Sequence, residues 1–502
     1  SDASMVVLMR EGNRTVLTMQ VDYRGPTEDF AMIVPVPEVL DEDQVRTLPH
    51  GIFSRLDRVT APRLAEYWEQ NPCPEANPGR RGVLRPRAGA SAADQAFAPE
   101  AEPAVGFVEG PPPVVVEREF SVDEYEIVVL SASDSTGLLD WLDTHDYALP
   151  PDAETVLRPY IAQGTKFFLA KVDASRVRFQ NGEARLSPLQ FDFESPQFVL
   201  PIRLGLLNSG GTQDLVVHTL TRWGRTEAAN YQNATVPTNL RLEEAARTDF
   251  ASFYAGLIEQ TIHADPRTVV TEFAGEVDDL DRMDVDDLRT LGSDRLASRN
   301  PRGFTMTRLH YRYTKDTIGD DIVFRRAPPI GGGDERIAPD GSFGLRSAQP
   351  RQRNSFQARF AILHPFEGAA RCRNPRFGRW GHRPGTARPP VLSDGSATPM
   401  PRERLSSLVH GGLGSLAGQS GKPPQVSAPA AAVPAAPTPV TGAAAPGAPA
   451  PAPTSGGLCS VNPGGSPIGP WLAAFALLGC ALLFRRRRSP GAPRARREGL
   501  RR

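Results

Sequence analysis

The sequence predicts an α+β body, mainly antiparallel sheet with packed helices, followed by a disordered Pro/Ala linker and a single apolar helix near the C-terminus. Three observations point to it. Short apolar or alternating runs recur from Met5 onward, separated by hairpin-sized turns. These runs outnumber any regular strand–helix–strand alternation, which a doubly wound parallel sheet would need. From about Arg383 the composition changes, and residues 422–457 are nearly pure Ala, Pro, Thr, Ser and Gly.

The elements follow in order. "MVVLMREGNRTVLTMQVDY" gives two apolar runs around Glu11, Gly12 and Asn13, a hairpin. "FAMIVPVP" at 30–37 is a third strand, ended by its prolines. "LPHGIFSRLDRVTAPRLAEYWEQ" reads as helical pieces, with Ile52, Leu56, Leu64, Tyr67 and Trp68 as their apolar positions. Residues 71–113, rich in Pro, Gly, Ala and Arg without period, predict a long loop or insertion. In "VVVEREFSVDEYEIVVLSA", Tyr125, Ile127 and Val129 alternate with Glu126 and Val128. Ser135 and Thr136 are placed to cap a helix burying Leu138, Leu139, Trp141 and Leu142, with His145 at its C-terminal end. A second helix runs from Asp152 to near Gly164; "KFFLAKV" is a strand, and "LQFDFESPQFVLPIRLGLL" is two strands around Ser195 and Pro196. Phe250, Phe253, Tyr254, Leu257 and Ile258 recur at three and four residues, which makes 248–262 the strongest helix, with Thr248 as its cap. "TVVTEF", "FTMTRLHYRYT" and "DDIVFRRAPPI" return to strand patterns, and "FQARFAILHPFEGAARCRNPRFGRWG" closes a domain spanning 1–381.

Charge is segregated. The whole chain carries −1, yet residues 485–502 hold nine arginines against Glu498, a net of +8, so everything upstream carries −9. An acidic body lacks the clustered cations that displace counterions from phosphate, which argues against nucleic acid as a partner.

No motif carries catalytic, cofactor or metal chemistry. The histidines at 50, 145, 218, 263, 310, 364, 382 and 410 include no HExxH and no pair four apart. His310 shares one face of an alternating strand with Arg308 and Arg312, which reads as a polar surface face. No G-x-S-x-G elbow occurs. "GGLGSLAG" at 411–418 has no strand before it, and "PIGGGDER" lacks the Lys-Ser/Thr of a phosphate loop. The acidic run 278–287 lacks the glycine and glutamate of a calcium loop. It reads as a helix start, with Asp284 as cap and Asp286 and Asp287 in the first turn. Catalytic, cofactor-binding and metal residues are therefore assigned to none, and no cofactor is expected.

Four cysteines divide between body and tail. Cys459 and Cys480 belong to the tail; Cys73 and Cys372 form one even pair in the body, with no CxxC or His pattern nearby. Export would place that pair where disulfides persist, and a bond would tie the body's first third to its final segment. Two unpaired buried thiols are the alternative.

The tail is informative. Ile468 to Phe484 is uncharged and mostly Leu, Ala, Phe, Trp and Gly; as a helix at ~1.5 Å per residue it reaches about 25 Å, the lower edge of a bilayer span. Arg485, Arg486, Arg487 and Arg488 follow at once and mark the cytoplasmic side, leaving 489–502 as a basic cytoplasmic tail. A buried helix of the body is the alternative, but such a helix would not sit behind a long linker and end in four arginines. The body would then lie across the membrane, which calls for an export signal. The opening "SDASMVVLMREGNRTVL" has neither a basic n-region nor an apolar h-region.

"LCSV" at 458–461, a Gly/Pro-rich gap, a short apolar span and an arginine cluster resemble the MYXO-CTERM sorting signal of myxobacteria. The resemblance covers about 457–488. It implies that Cys459 is the processing position and that a sorting protease of the membrane removes the tail. It also implies a mature form at the outer membrane or cell surface, with or without a lipid on that cysteine. A retained single-pass anchor is the alternative.

"VVLMREGNRTVLTMQVDYRGPTEDFAMIVPVP", "APRLAEYWEQNPC", "LSPLQFDFESPQFVLPIRLG" and "TRLHYRYTKDTIGDDIVFRRAPPIGGG" are similar to the exported bacterial domain-of-unknown-function family number twenty-three thirty. The resemblance spans about 5–381 and implies an exported context without a mechanism. It also places the first residue a little inside the family's usual start. The expectation is therefore an exported, cell-surface-anchored binding or structural module of the envelope. An exported hydrolase, its site assembled from residues distant in sequence, is the alternative.

Overall fold

Strands β1 (Ala3–Glu11) and β2 (Arg14–Met19) form the expected hairpin, turning at Gly12, whose φ of +58° favours glycine. They belong to a computed structural model that describes residues 3–20, 31–73, 113–145, 147, 150, 152–173, 175–180, 183–206, 211–238, 240–280, 285–292, 296, 302–333, 335–337, 343–381, 390–393 and 397–413. The expected insertion (from residue 74 to 112), linker, span, Cys459 and Arg485, Arg486, Arg487 and Arg488 lie outside these residues.

The fold is α+β. Besides β1 and β2, its strands include β3 (Ala31–Val36), β4 (Val45–Thr47), β5 (Arg63–Glu69), β6 (Val114–Val122), β7 (Tyr125–Ala132) and β8 (Lys166–Val172). They continue with β9 (Leu189–Glu194), β10 (Gln213–Thr221), β11 (Thr268–Glu276), β12 (Thr305–Tyr313), β13 (Ser355–Gln357) and β14 (Arg359–His364). The main sheet has 11 strands, and its path includes the run β13-β11-β12-β10-β1-β2-β9-β4, continued past β13 by two short strands. Pairing along this run is antiparallel except between β1 and β10. A second, antiparallel sheet has the order β3-β8-β7-β6.

Four layers follow from which faces are apolar. Val6, Leu8 and Leu17 of the main sheet pack against Met32, Val34, Ile127, Val129 and Phe168 of the second. The outer face of the second sheet, with Ile33, Phe167 and Leu169, is covered by α2 (Ser135–Thr144) and α3 (Ala153–Ala162) through Leu138, Leu142 and Leu157. The outer face of the main sheet is covered by three helices. Ile52 and Leu56 of α1 (Gly51–Thr60) and Leu288 of α5 (Val285–Gly292) meet Met5 and Val7. Phe253 and Leu257 of α4 (Phe250–Ile262) meet Val270 and Ala274. Each such side chain contributes roughly 1.5–3 kcal/mol when fully buried.

Three local expectations need correction. The helical reading of 48–70 holds only for α1; Pro62 disfavours the helix before it, and Arg63–Glu69 is strand β5. Its parallel partner β14 lies almost 300 residues away, which no local pattern reveals. The cap of α2 is Asp134, whose carboxylate accepts the Gly137 N–H at 2.7 Å; a longer acidic side chain one residue earlier supplants Ser135. Asp249, not Thr248, holds the N-cap position of α4.

Packing also continues past Gly381, the expected end of the body and start of the linker. Val391–Leu392 pairs with β5, and α6 (Arg402–Leu408) buries Leu405 and Leu408 beside α4. Gly256 of α4 permits this approach: a Cβ there would stand 2.7 Å from the Met400 carbonyl oxygen. Met400 N–H donates to the Ser252 carbonyl at 3.0 Å. Among the described residues no helix is long and apolar enough to cross a membrane.

Candidate functional site

The densest polar constellation lies between the main sheet and helices α1 and α4. Alternation places Arg308, His310 and Arg312 of β12 on one face, as expected, but that face is buried and not the surface, because the two helices cover it. Opposite them, β10 presents Asp214 across from Arg312 and His218 across from Arg308. On the other side β11 carries a bulge between Thr271 and Phe273, and the extra residue is Glu272. The bulge sets one carboxylate between two cations of the neighbouring strand.

The result is a ribbon of alternating charge. Arg308 Nε donates to Glu272 Oε2 at 2.6 Å, and its Nη1 reaches the Asp57 carboxylate of α1. His310 Nδ1 donates to Glu272 Oε1 at 2.7 Å and its Nε2 to Asp214 Oδ1 at 2.8 Å. Arg312 Nη1 donates to both Asp214 oxygens at 3.1 and 3.0 Å, and Glu259 of α4 stands 3.6 Å from its Nε. Tyr254 of α4 donates to Glu272 at 2.7 Å. Thr60 of α1 lies 2.9 Å from His218 Nε2. The six central groups, Asp57, Arg308, Glu272, His310, Asp214 and Arg312, sum to zero charge with His310 protonated.

Electrostatics keep it so. Burial alone would raise the Glu272 pKa, but the charges of His310 and Arg308, with hydrogen bonds from His310 and Tyr254, hold it down at about 2. Burial alone would lower that of His310; the charge of Glu272 and hydrogen bonds to Asp214 and Glu272 raise it to about 9. His218 is pushed well below its ordinary value by burial and by the Arg308 charge, so it is neutral. Tyr254 is pushed up by burial and by Glu272.

A pH dependence follows. The folded pKa of His310 lies above its ordinary 6.5, so its contribution to stability is complete below pH 6.5 and is lost as pH rises through 9. That of Glu272 lies below 4.5, so its contribution is present above pH 4.5 and lost as pH falls through 2. The depressed pKa of His218 adds a loss below pH 6.5. Urea midpoints should therefore fall between pH 6.5 and 9.5, and His310→Gln should flatten that limb. A wild-type midpoint constant over this interval would contradict the assignment.

Chemically the ribbon is closed on itself. Glu272, Arg308 and His310 have 0% exposed side chains, and Glu272 is the shared partner of the other two. The arrangement fastens α1 and α4 to the sheet, with Asp57 and Glu259 at its solvent-facing edges.

An open cleft of about 680 Å³ lies elsewhere, where β4 of the main sheet meets the β6–β7 turn of the second. That volume falls within the roughly 300–1,000 Å³ of small-ligand sites. His50, Asp123, Glu124 and Arg176 line it. Its polar groups are held in place: the Thr47 hydroxyl donates to Asp123, Glu124 accepts the Ser187 N–H at 2.6 Å, and Tyr125 donates to the Ser187 carbonyl at 2.7 Å. Sequence reasoning missed this cleft because its parts come from four separated segments.

Of the residues singled out in the sequence, Cys73 and Cys372 meet as a disulfide with Cα atoms 5.6 Å apart. His145 closes α2 as expected: its Nδ1 lies 2.7 Å from the Trp141 carbonyl, and its ring stacks on Trp141. Asp286 and Asp287 fall in the first turn of α5, and Asp287 pairs with Arg55 at 2.7 Å. Asp284 lies outside the described residues. Among those described, no group of three or more His, Cys, Asp and Glu is placed to hold a metal ion.

A two-sheet sandwich with helical outer layers, a largely buried charge ribbon and a small polar cleft defines the class, an α+β body. The chain belongs to DUF2330, described as an uncharacterized protein conserved in bacteria, whose model matches residues 1–325. The matched segment contains the whole ribbon and the cleft, whereas Cys372 lies beyond it. No curated protein and no solved structure matches the chain.

Proposed function

We propose that this protein is an exported, membrane-anchored module of the bacterial envelope that binds a partner or ligand at the cell surface and does not turn over a substrate. The observation that carries the export reading is the Cys73–Cys372 bond, because disulfides persist in oxidising compartments and are rare in the cytosol. The ribbon supports binding over catalysis: its central groups, Glu272, Arg308 and His310, are occupied with one another and with Asp214. The cleft bounded by His50, Asp123, Glu124 and Arg176 is the ligand site of this reading. In the tail, Ile468 to Phe484 spans the inner membrane, Arg485 to Arg488 hold the cytoplasmic side, and Cys459 is the processing position for a sorting protease.

Fractionation of the native host with thiol mapping tests this. Wild-type protein should be surface-accessible with Cys73 and Cys372 bridged, and Cys459→Ala should hold it in the inner membrane. Full-length protein with free thiols in the cytosol would overturn the proposal.

A further inference from the structure

The disulfide does more than join two ends of the chain. Residues 365–379, between β14 and the Trp380–Gly381 strand, are fastened at several points to the end of β5. The Glu69 carboxylate accepts the Phe366 N–H at 3.0 Å and also the Gly378 N–H. Arg376 N–H donates to the Pro72 carbonyl at 2.8 Å, Gln70 N–H donates to the Arg379 carbonyl at 2.7 Å, and Cys372 bonds Cys73. A segment without helix or strand is thereby held in one shape.

That shape displays an unusual surface. Arg371, Arg373, Arg376 and Arg379 are all exposed, and among the described residues none has an acidic side-chain partner; Glu367 is the one acid in the segment. Phe377, between the last two arginines, is 59% exposed, more than Val116, Trp223 or Val285, the other exposed large apolar residues among those described. Clustered like charges repel, and the exposed ring stands among them, so the segment presents cations and an apolar group side by side. A solvated face would need the charges but not the ring.

We infer that residues 371–379 form a docking surface for an anionic lipid bilayer, with the guanidinium groups on headgroup phosphates and Phe377 in the interfacial layer. Arginine suits this role because its planar fork bonds phosphate oxygens in pairs. An aromatic ring beside it suits a boundary that is apolar on one side and charged on the other. A bilayer fits better than a dissolved polyanion because Phe377 stands among the arginines: a polyanion would leave that ring in water, whereas an interfacial layer takes it up. In sequence this surface is separate from the tail at 458–502.

Hydrogen–deuterium exchange on the full chain decides it, since the readout is local to the segment whatever the tail does. Vesicles of phosphatidylcholine with a third phosphatidylglycerol should slow exchange of the amides in 371–379, and 0.5 M salt should reverse the effect. Pure phosphatidylcholine vesicles should leave those amides unchanged. Each arginine removed should weaken vesicle-dependent protection about 5-fold, the factor equivalent to ~1 kcal/mol per cation at an anionic surface. Arg376→Ser with Arg379→Ser should therefore require about 25-fold more lipid, with the urea midpoint unchanged. Phe377→Ser should weaken it further. No protection on anionic vesicles, equal protection on neutral ones, or protection by polyphosphate but not by vesicles would each overturn the lipid assignment.

Discussion

Replacing Glu272 by Ala should destabilise the protein by on the order of 3–5 kcal/mol, the range for removing one member of a buried ion network. Three donors lose their acceptor at once: Arg308 Nε, His310 Nδ1 and the Tyr254 hydroxyl. The remaining groups then carry one excess positive charge in a region without solvent. His310 can relieve part of it by releasing its proton, because Glu272 is the largest favourable influence on its raised pKa. Arg308 cannot, since a guanidinium stays charged. The variant should therefore lose stability at pH 7 and also lose the decline between pH 6.5 and 9.5. Urea titration followed by circular dichroism measures both, and a change under 1 kcal/mol would show that the ribbon is not the fastening described here. Replacing Asp57, Glu272, Arg308 and His310 together by apolar residues of similar size should cost less than the single change, because the groups removed sum to zero and the Asp214–Arg312 pair is left intact.

How much of this was legible in the sequence follows from the range of each interaction. Hairpins, helix α4 and strands such as "KFFLAKV" depend on neighbours a few residues apart, and their periodicity announces them. Strand β5 depends on β14 and on Val391–Leu392, far along the chain, so a helical reading of the same apolar residues was equally consistent. The ribbon was half visible. "TRLHYRY" placed Arg308, His310 and Arg312 on one face, but only the fold covers that face with two helices. A signal was present: Glu272 in "TVVTEF" and Asp214 in "TQDLVVH" are acids beside apolar runs, and such acids seek buried cations. Their pairing still depends on a β-bulge and on strand order, neither of which period-2 alternation contains. The cysteines were legible for a different reason: with two assigned to the tail, parity left a single pair in the body.

Removing that pair is the second large expected effect. The Cys73–Cys372 bond has a sequence separation of 299 residues, and its Cα atoms, 5.6 Å apart, lie within the usual range for disulfides. Closing so long a loop in the unfolded chain is worth on the order of 5 kcal/mol by chain entropy, an upper figure because residual structure reduces it. In the folded state the bond adds little new proximity, since β5 and β14 already pair from Arg63 with Arg359 to Trp68 with His364. The effect should therefore reside mainly in the unfolded state. The double variant Cys73→Ser, Cys372→Ser should lose about 2–5 kcal/mol. Its denaturant slope should also rise, because an unconstrained chain exposes more surface on unfolding. Glu272→Ala, which acts on the folded state, should leave that slope unchanged. The two variants thus separate by slope even where their midpoints coincide. An unchanged slope together with an unchanged midpoint after removing the cysteines would mean that the bond does not constrain the unfolded chain.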